Sequence, residues 1–124
     1  MIVAGVGFRG SAGADEIVAL VERALALAPG RLARLATVRA LADAPAFQDA
    51  ARRLAVPAMG VDEATLKATE PRLKTRSARS LQAHGVGSVA EAAALGAAGP
   101  GSTLLLARIA SPVATCALAR EGAP

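Results

Sequence analysis

The first residues of the chain carry a glycine pattern that is typical of phosphate-binding turns. Residues 2–17 read IVAGVGFRGSAGADEI, in which Gly5, Gly7 and Gly10 form G-x-G-x-x-G around Arg9. A loop of this kind, between a buried strand and a helix, presents backbone N–H groups and the positive end of the helix dipole to an anion. The stretch predicts an anion site at the first strand–helix turn. Its candidate ligand-binding residues are Gly5, Gly7, Phe8, Arg9, Gly10 and Ser11.

A dinucleotide is disfavoured as the anion that this loop binds. The dinucleotide fingerprint requires an acidic residue at the end of the second strand to bind the ribose, and the sequence has Arg39 there. Arg39 could instead accept a 2′-phosphate, but the loop continues to Gly13 before its helix begins, and the chain is short for such a domain. We therefore expect an anion of another kind.

The basic residues point to the same class of ligand. The net charge is +4, and among the 14 basic residues Lys67 and Lys74 are the only lysines. The guanidinium group of arginine donates two parallel hydrogen bonds to one carboxylate or phosphate. Nucleic acid is not expected, because the chain has no Tyr or Trp to stack on bases and no Cys/His finger.

Length and composition predict one folded domain. The chain has 124 residues, of which 53% are hydrophobic, and no apolar run of the roughly 20 residues that a membrane span needs. The N-terminus does not resemble a secretory signal, so we expect a cytoplasmic protein without a membrane partner. The single cysteine, Cys116, is expected in the core. One His and one Cys predict no metal site, and no cofactor is expected.

Hydrophobic periodicity predicts alternating strands and helices. Predicted strands cover residues 2–7, 33–38, 56–59, 102–109 and 113–120, and the run at 102–109 is apolar enough for a central strand. One predicted helix begins near Asp15 and ends at Pro29. Four others cover residues 43–54, 62–68, 77–83 and 85–99. We expect a mobile loop at residues 69–80, because this segment is polar and has little to bury. Asp43 or Ala44 should cap the helix of residues 43–54.

The fold class that follows is α/β, a single three-layer α/β/α domain. Its mixed sheet of about five strands ends in an antiparallel hairpin, turned by Ser111 and Pro112. The domain should cover residues 1–120, and residues 121–124 form a short tail.

Glu91 and His84 are the candidate catalytic residues, and each has a structural alternative. Glu91 follows Ser88 by three positions, which is the spacing of a capping box. His84 could be a general base or an axial metal ligand, or it could cap carbonyls at the end of its helix. Ser11 is interpreted as a helix N-cap rather than a nucleophile, because no histidine is near it in the sequence.

Three blocks resemble the CobE/CbiG C-terminal domain family of cobalamin biosynthesis. They are VAGVGFRGSAGADEI near the start, GVGSVAEAAALGAAG at residues 85–99, and LLLARIASPVATCALAR near the end. The resemblance implies a role in building the corrin ring, whose precursors carry several acetate and propionate carboxylates. In the anaerobic pathway the related domain forms the C-terminal part of a hydrolase that opens a ring lactone and releases a C20 fragment.

The resemblance also implies site residues. The positions that match the family pattern are Gly5, Gly7, Arg9, Ser77, Gly85, Glu91 and Thr115. The chain departs from a family pattern like S-x-x-x-K-x-x-E. It keeps a hydroxyl at Thr37 but has Leu41 and Ala44 at the lysine and acid positions, and Arg108 replaces a second lysine. The loss of these titratable groups disfavours autonomous hydrolysis and leaves anion binding intact.

The sequence is consistent with three functional hypotheses. The favoured hypothesis is a protein that binds a precorrin or hydrogenobyrinic-type tetrapyrrole through Arg9, Thr37, Arg39, Ser77, Arg108 and the glycine loop, with Phe8 and Leu81 as an apolar platform. The second is a hydrolase that acts on such an intermediate through Glu91 or His84. The third is a subunit that docks onto another enzyme of the pathway.

Overall fold

The structure, a computed structural model, describes residues 1–122 and consists of a mixed sheet with helices on both faces. In chain order the elements are β1 Ile2–Phe8, α1 Ala14–Leu27, β2 Leu32–Val38, α2 Pro45–Arg53, β3 Ala58–Val61, α3 Glu63–Ala68, α4 Ala78–His84, α5 Val89–Ala98, β4 Thr103–Ala110 and β5 Ala114–Arg120. Short 3-10 turns cover Arg39–Leu41 and Glu70–Arg72.

The strand order is β3-β2-β1-β5-β4. The first three strands are parallel to one another, whereas β5 pairs antiparallel with both β1 and β4. The predicted fold class, with a mixed sheet that ends in a hairpin, is therefore confirmed. After β5, Glu121 forms an ion pair of 3.3 Å with Arg34, while Ala123 and Pro124 of the predicted tail lie outside the described residues.

Two hydrophobic cores lie on opposite faces of the sheet. Along β1, Ile2, Ala4 and Val6 belong to the core under α1 and α2, and Val3 belongs to the core under α3 and α5. This alternation follows from the strand, in which successive side chains point to opposite faces. Within residues 1–122 no helix is both long enough and apolar enough to span a membrane.

Helix α5 lies unusually close to β1, and Gly5 makes this approach possible. A Cβ atom at Gly5 would collide with the backbone carbonyl of Ala90 and the backbone nitrogen of Ala94. The residues of α5 that face Gly5, Ala90 and Ala94, are themselves small, so the two backbones can approach. Gly5 therefore has a packing role, the structural alternative to a ligand-binding one.

The prediction of a central strand at residues 102–109 is wrong, because β4 is an edge strand. Its apolar side chains are half-buried, since Leu104 packs against one core while Leu105, Leu106 and Ile109 pack against the other. An edge strand that helices cover on both faces needs apolar residues at successive positions, as a central strand does. Hydrophobicity alone therefore does not separate the two cases.

Two further local predictions are wrong. Ser11 is not the N-cap of α1, because Gly13 occupies that position and its backbone N–H donates to Glu16 Oε1 at 2.7 Å. The third strand begins at Ala58 instead of residue 56. It starts late because the backbone N–H of Val56 donates to the carbonyl of Ala51 in a turn at the end of α2. The cap of α2 is Ala44, as one of the two predicted alternatives.

Candidate anion-binding cleft

A cleft of about 350 Å³ opens at the carboxyl end of β1. Three parts of the chain form its walls: the end of β1, helix α4, and the β4–β5 hairpin. We call it the arginine cleft. Its lining residues are Gly7, Phe8, Arg9, Ser77, Arg79, Ser80, Ala83, His84, Val89, Arg108, Ala110, Ser111, Pro112, Val113, Ala114 and Thr115.

The charged groups in the lining are all arginine side chains. Arg9, Arg79 and Arg108 come from three different walls and are joined by His84, and no Asp or Glu lines the cleft. Within residues 1–122, none of these arginine side chains forms a salt bridge or donates a hydrogen bond. The arginines that do are Arg23, Arg34, Arg39, Arg52, Arg53, Arg72 and Arg76. The cleft thus presents guanidinium groups whose donors are available to an anion.

The floor of the cleft is apolar. Phe8 stacks on the buried ring of Phe47, with ring centroids 6.1 Å apart and an interplanar angle of 9°. Val89 and Gly7 continue this surface, and the hydroxyl of Thr115 donates to the Gly7 carbonyl at 3.4 Å. Phe8 is therefore held by its neighbour and offers an apolar surface beside Arg9. Leu81, the other predicted platform residue, is 53% exposed and lies outside this cleft.

Ser77, the N-cap of α4, and Ser80, within α4, line the cleft in different hydrogen-bonding states. The hydroxyl of Ser77 caps the helix by accepting from the backbone N–H of Ser80 at 3.1 Å. The hydroxyl of Ser80 is buried and has no hydrogen-bond partner among residues 1–122. A buried hydroxyl without a partner costs about 1–3 kcal/mol, so Ser80 is a donor or acceptor still to be satisfied.

Glu91 lies directly behind the cleft and is completely buried, with a side chain 0% exposed. Its Oε1 accepts from the backbone N–H groups of Lys74 at 2.8 Å and Thr75 at 2.9 Å. Its Oε2 accepts from the backbone N–H of Arg108 at 2.9 Å. Burial alone raises the pKa of a carboxyl group, but these N–H donors outweigh burial and hold the pKa of Glu91 below its ordinary value.

The capping-box interpretation of Ser88 and Glu91 is half right. The Ser88 hydroxyl accepts from the Glu91 backbone N–H at 3.2 Å, as a cap does. The Glu91 side chain points away from Ser88 to two other segments, so the reciprocal bond of the box is absent among these residues. Because both carboxylate oxygens are engaged and unexposed, Glu91 does not face the cleft as a candidate catalytic group.

The segment of residues 69–80 has more to bury than its composition suggested. Thr69 is 2% exposed and Leu73 is 5% exposed. Glu70 accepts from the Gly87 backbone N–H at 3.2 Å, and Glu91 binds the amides of Lys74 and Thr75. The expectation that this segment has little to bury is therefore wrong. Two acidic side chains hold it, and the polar composition gave no sign of their distant partners.

Only part of the predicted set of ligand-binding residues meets at the arginine cleft. Those that line it are Gly7, Phe8, Arg9, Ser77, Arg108 and the candidate catalytic residue His84. Gly10 and Ser11 follow Arg9 in the turn between β1 and α1, outside the lining. Gly5 is covered by α5. Thr37 is buried and its hydroxyl donates to the Val6 carbonyl at 2.7 Å, which leaves it inaccessible.

Arg39 lies at a second cleft, of about 660 Å³, which also contains Leu81. His84 lines both clefts, because it ends the helix that separates them. Asp62 and Glu63 line the second cleft, and Asp62 lies 4.0 Å from Arg39. The second cleft therefore has charges of both signs and is a poorer site for an anion.

Arg79, Ser80 and the hairpin residues 111–113 are lining residues that the sequence analysis did not single out. Arg79 lies in the polar segment of residues 69–80, where no local pattern distinguishes it from Arg72 or Arg76, which donate to other protein groups. Its position two residues after Ser77, which caps α4, is the sequence feature that could have predicted Arg79 as a lining residue. Within residues 1–122, no group of three or more His, Cys, Asp or Glu side chains lies close enough together to hold a metal ion.

Cys116 is buried in the core, as predicted. Its side chain is 0% exposed, and burial raises the pKa of the thiol to about 12.

Comparison with known proteins assigns this arrangement to a family. The family model described as "Cobalamin synthesis G C-terminus" matches residues 2–119. Protein CobE of Sinorhizobium sp is 43% identical over 121 residues, which cover 95% of this chain and 79% of that protein.

Solved structures agree with the comparison of sequences. The crystal structure of CobE, a protein from the cobalamin (vitamin B12) biosynthetic pathway, has a TM-score of 0.90 and 37% identity, covering 97% of this chain and 89% of that one. The cobalamin biosynthesis protein chiG from Agrobacterium tumefaciens str. C58 has a TM-score of 0.79 and 32% identity, covering 99% and 100%. A putative cobalamin biosynthesis protein G homolog from Sulfolobus solfataricus shares the fold alone, with a TM-score of 0.69 and 24% identity over 37% of that longer chain.

Proposed function

The chain belongs to the cobalamin synthesis G C-terminus family, and on that premise we propose that it binds a polycarboxylate precorrin or corrinoid intermediate in the arginine cleft. Its assignment to cobalamin biosynthesis follows from the family match and from the relatives of 43% and 37% identity. The intermediate and the site are our proposal.

One observation carries the proposal: three arginines without a protein partner in residues 1–122 converge on a cleft whose lining has no carboxylate. Bringing cations together without acids costs free energy through mutual repulsion, which a polyanionic ligand removes. Each guanidinium can hold one carboxylate through two parallel hydrogen bonds. A ring that carries several acetate and propionate arms offers the matching set of anions.

The size of the cleft suggests how much of such a ligand it holds. Its volume of about 350 Å³ is near the lower end of the range of about 300–1,000 Å³ found for small-molecule sites. We therefore propose that one edge of the macrocycle and its carboxylate arms enter the cleft, with Phe8 as the apolar contact. The rest of the ring would extend over the surface, accessible to another enzyme of the pathway.

The geometry favours binding over hydrolysis by Glu91. A general acid or base must reach the proton it transfers, and the Glu91 carboxylate is buried with three backbone N–H groups on its two oxygens. His84 lines the cleft and is the candidate that a hydrolytic alternative would use.

Titration with hydrogenobyrinic acid, followed by absorbance and by the shift in Tm, tests the proposal. The variants are Arg108→Ala and Arg79→Ala, with Arg31→Ala as the matched control, because Arg31 is exposed and lies outside the cleft. We expect wild-type binding, with a loss of about tenfold or more in each cleft variant, as for a hydrogen bond to a charged group, and an unchanged control. Absence of wild-type binding, or an equal loss in the control, contradicts the proposal.

A further inference from the structure

We propose that Glu91 is the positioning residue of the arginine cleft, holding two of its walls together through one buried carboxylate. The inference rests on the proposed function for its ligand, but its geometry is independent of any ligand. It assigns a task to a buried acid that neither the capping of α5 nor a catalytic step explains.

The two oxygens of Glu91 bind two different walls. Oε1 accepts from Lys74 and Thr75, whose segment leads through Ser77 into α4. Oε2 accepts from Arg108 in β4. The first wall carries Arg79 and the second carries Arg108, so a single side chain ties the positions of both arginines.

The bond to Arg108 occurs where β4 departs from regular pairing. The register between β4 and β5 shifts between Leu106 and Ile109, which removes Arg108 from the ladder. An irregularity of this kind leaves a backbone N–H unpaired and redirects a side chain. Glu91 accepts that N–H, and the Arg108 side chain lines the cleft.

A buried carboxylate is costly unless hydrogen bonds satisfy it, and the donors that satisfy Glu91 come from two separate segments. In residues 1–122, Glu91 has no salt bridge, so its charge is compensated by hydrogen bonds from backbone N–H groups and from Thr75 and not by a cation. Because no arginine side chain pairs with Glu91, the arginines of the cleft stay available to the ligand. A hydrophobic side chain would fill the space but would leave three amides unpaired.

The substitution Glu91→Gln separates the two walls with little change in shape. The amide oxygen of glutamine can accept from one wall, but its NH₂ group meets a backbone donor on the other. Ser88→Ala is the matched control, because it removes the cap of the same helix and leaves the three Glu91 bonds in place. Glu91→Asp is the second variant, since it keeps the charge but is too short to reach both walls.

Binding of hydrogenobyrinic acid gives the first arm of the test. We expect Glu91→Gln and Glu91→Asp to weaken binding about tenfold or more, and Ser88→Ala to change it less than about twofold. In a double-mutant cycle, Arg108→Ala should cost much less in the Glu91→Gln background than in the wild type, because Arg108 is then no longer held on the ligand. Additive effects, or an equal loss in Ser88→Ala, overturn the proposal.

Amide hydrogen exchange of the unliganded protein gives the second arm. In Glu91→Gln the amides of at least one wall, Lys74 and Thr75 or Arg108, should exchange about tenfold faster, while amides of β1 stay unchanged. Unchanged exchange at both walls overturns the proposal. If the wild type fails to bind hydrogenobyrinic acid, the proposed function fails. Amide exchange of the unliganded proteins then still tests whether Glu91 joins the two walls.

A measurement on the wild type alone covers the case in which the variants do not fold. Adding hydrogenobyrinic acid should slow exchange at Lys74, Thr75 and Arg108 together. Slower amide exchange in only one of the two walls would contradict the proposal that Glu91 joins them.

Discussion

The carboxylate of Glu91 accepts a 2.9 Å hydrogen bond from the backbone N–H of Arg108, although the two residues belong to different elements, α5 and β4. The same carboxylate also binds the amides that precede α4. A buried negative charge therefore lies behind a cleft whose lining is basic, and its hydrogen bonds determine where two of the cleft walls sit.

Acidification should remove the contribution of Glu91 to stability. The pKa of Glu91 in the folded protein lies below its ordinary value of 4.5, so folding favours the charged form. This stabilisation is complete above the ordinary pKa and is lost as the pH falls through the folded-state pKa. Unfolding by urea between about pH 7 and pH 3 should show the free energies of wild type and Glu91→Gln converging as the pH falls.

Exposed acids do not disturb that comparison. Asp62 and Glu63 also have lowered pKa values, from the hydrogen bonds of Thr65 and Lys67 respectively, but they titrate in both proteins and cancel in the difference. A difference that stays constant over this pH range would contradict the lowered pKa of Glu91.

Gly5→Ala should destabilise the fold severely. The added Cβ would collide with the backbone of α5 at Ala90 and Ala94, which cannot move without displacing the helix. We expect a loss of about 3 kcal/mol or more in the free energy of unfolding, at the upper end for overpacking. Gly10→Ala is the control, because nothing lies within 4 Å of a Cβ there. Equal stability of both variants would contradict the close approach.

Ala55→Gly should stabilise the protein. Ala55 has a φ of 58°, in the left-handed region, at the end of α2. The Ala55 N–H donates to Arg52 and the Val56 N–H to Ala51, which is the Schellman motif that usually has glycine at this position. Relief of the left-handed strain should raise the free energy of unfolding by roughly 1 kcal/mol, measured by urea denaturation. A decrease would show that strain at Ala55 is negligible.

Cys116 should resist thiol reagents in the native state. Its side chain is fully buried and its pKa is raised to about 12, so at pH 8 the reactive thiolate is scarce and shielded. Native protein should label with a chromogenic disulfide reagent only as fast as the core opens, whereas protein in denaturant should label at once. Rapid, stoichiometric labelling of the native protein would contradict the burial of Cys116.

Salt should weaken binding to the arginine cleft. Ionic contacts near the surface are screened over a Debye length of about 10 Å at 0.1 M salt. We expect the affinity for hydrogenobyrinic acid to fall as NaCl rises, with a shallower dependence for Arg108→Ala. A corrinoid whose carboxylates are amidated serves as the control ligand and should bind more weakly with little salt dependence. Identical salt dependence of the two ligands would argue against carboxylate recognition.

The sequence by itself determined the order of strands and helices along the chain and the mixed sheet, and it directed attention to the turn after β1, where the arginine cleft opens. These features depend on neighbours in the chain. Alternating apolar residues, Pro45 in the first turn of α2 and the caps Asp62 and Ser77 all act within a few residues. Arg9 could be singled out because it lies in the glycine turn itself.

Tertiary structure decided which residues line that cleft. Glu91 has a local partner in Ser88 that satisfies the capping pattern, yet its side chain binds amides 16 and 17 residues away on both sides. The edge position of β4 and the meeting of Arg79 with Arg108 likewise depend on how distant segments pack. Long-range hydrogen bonds and burial have no periodic signature in the chain, so only the folded molecule reveals them.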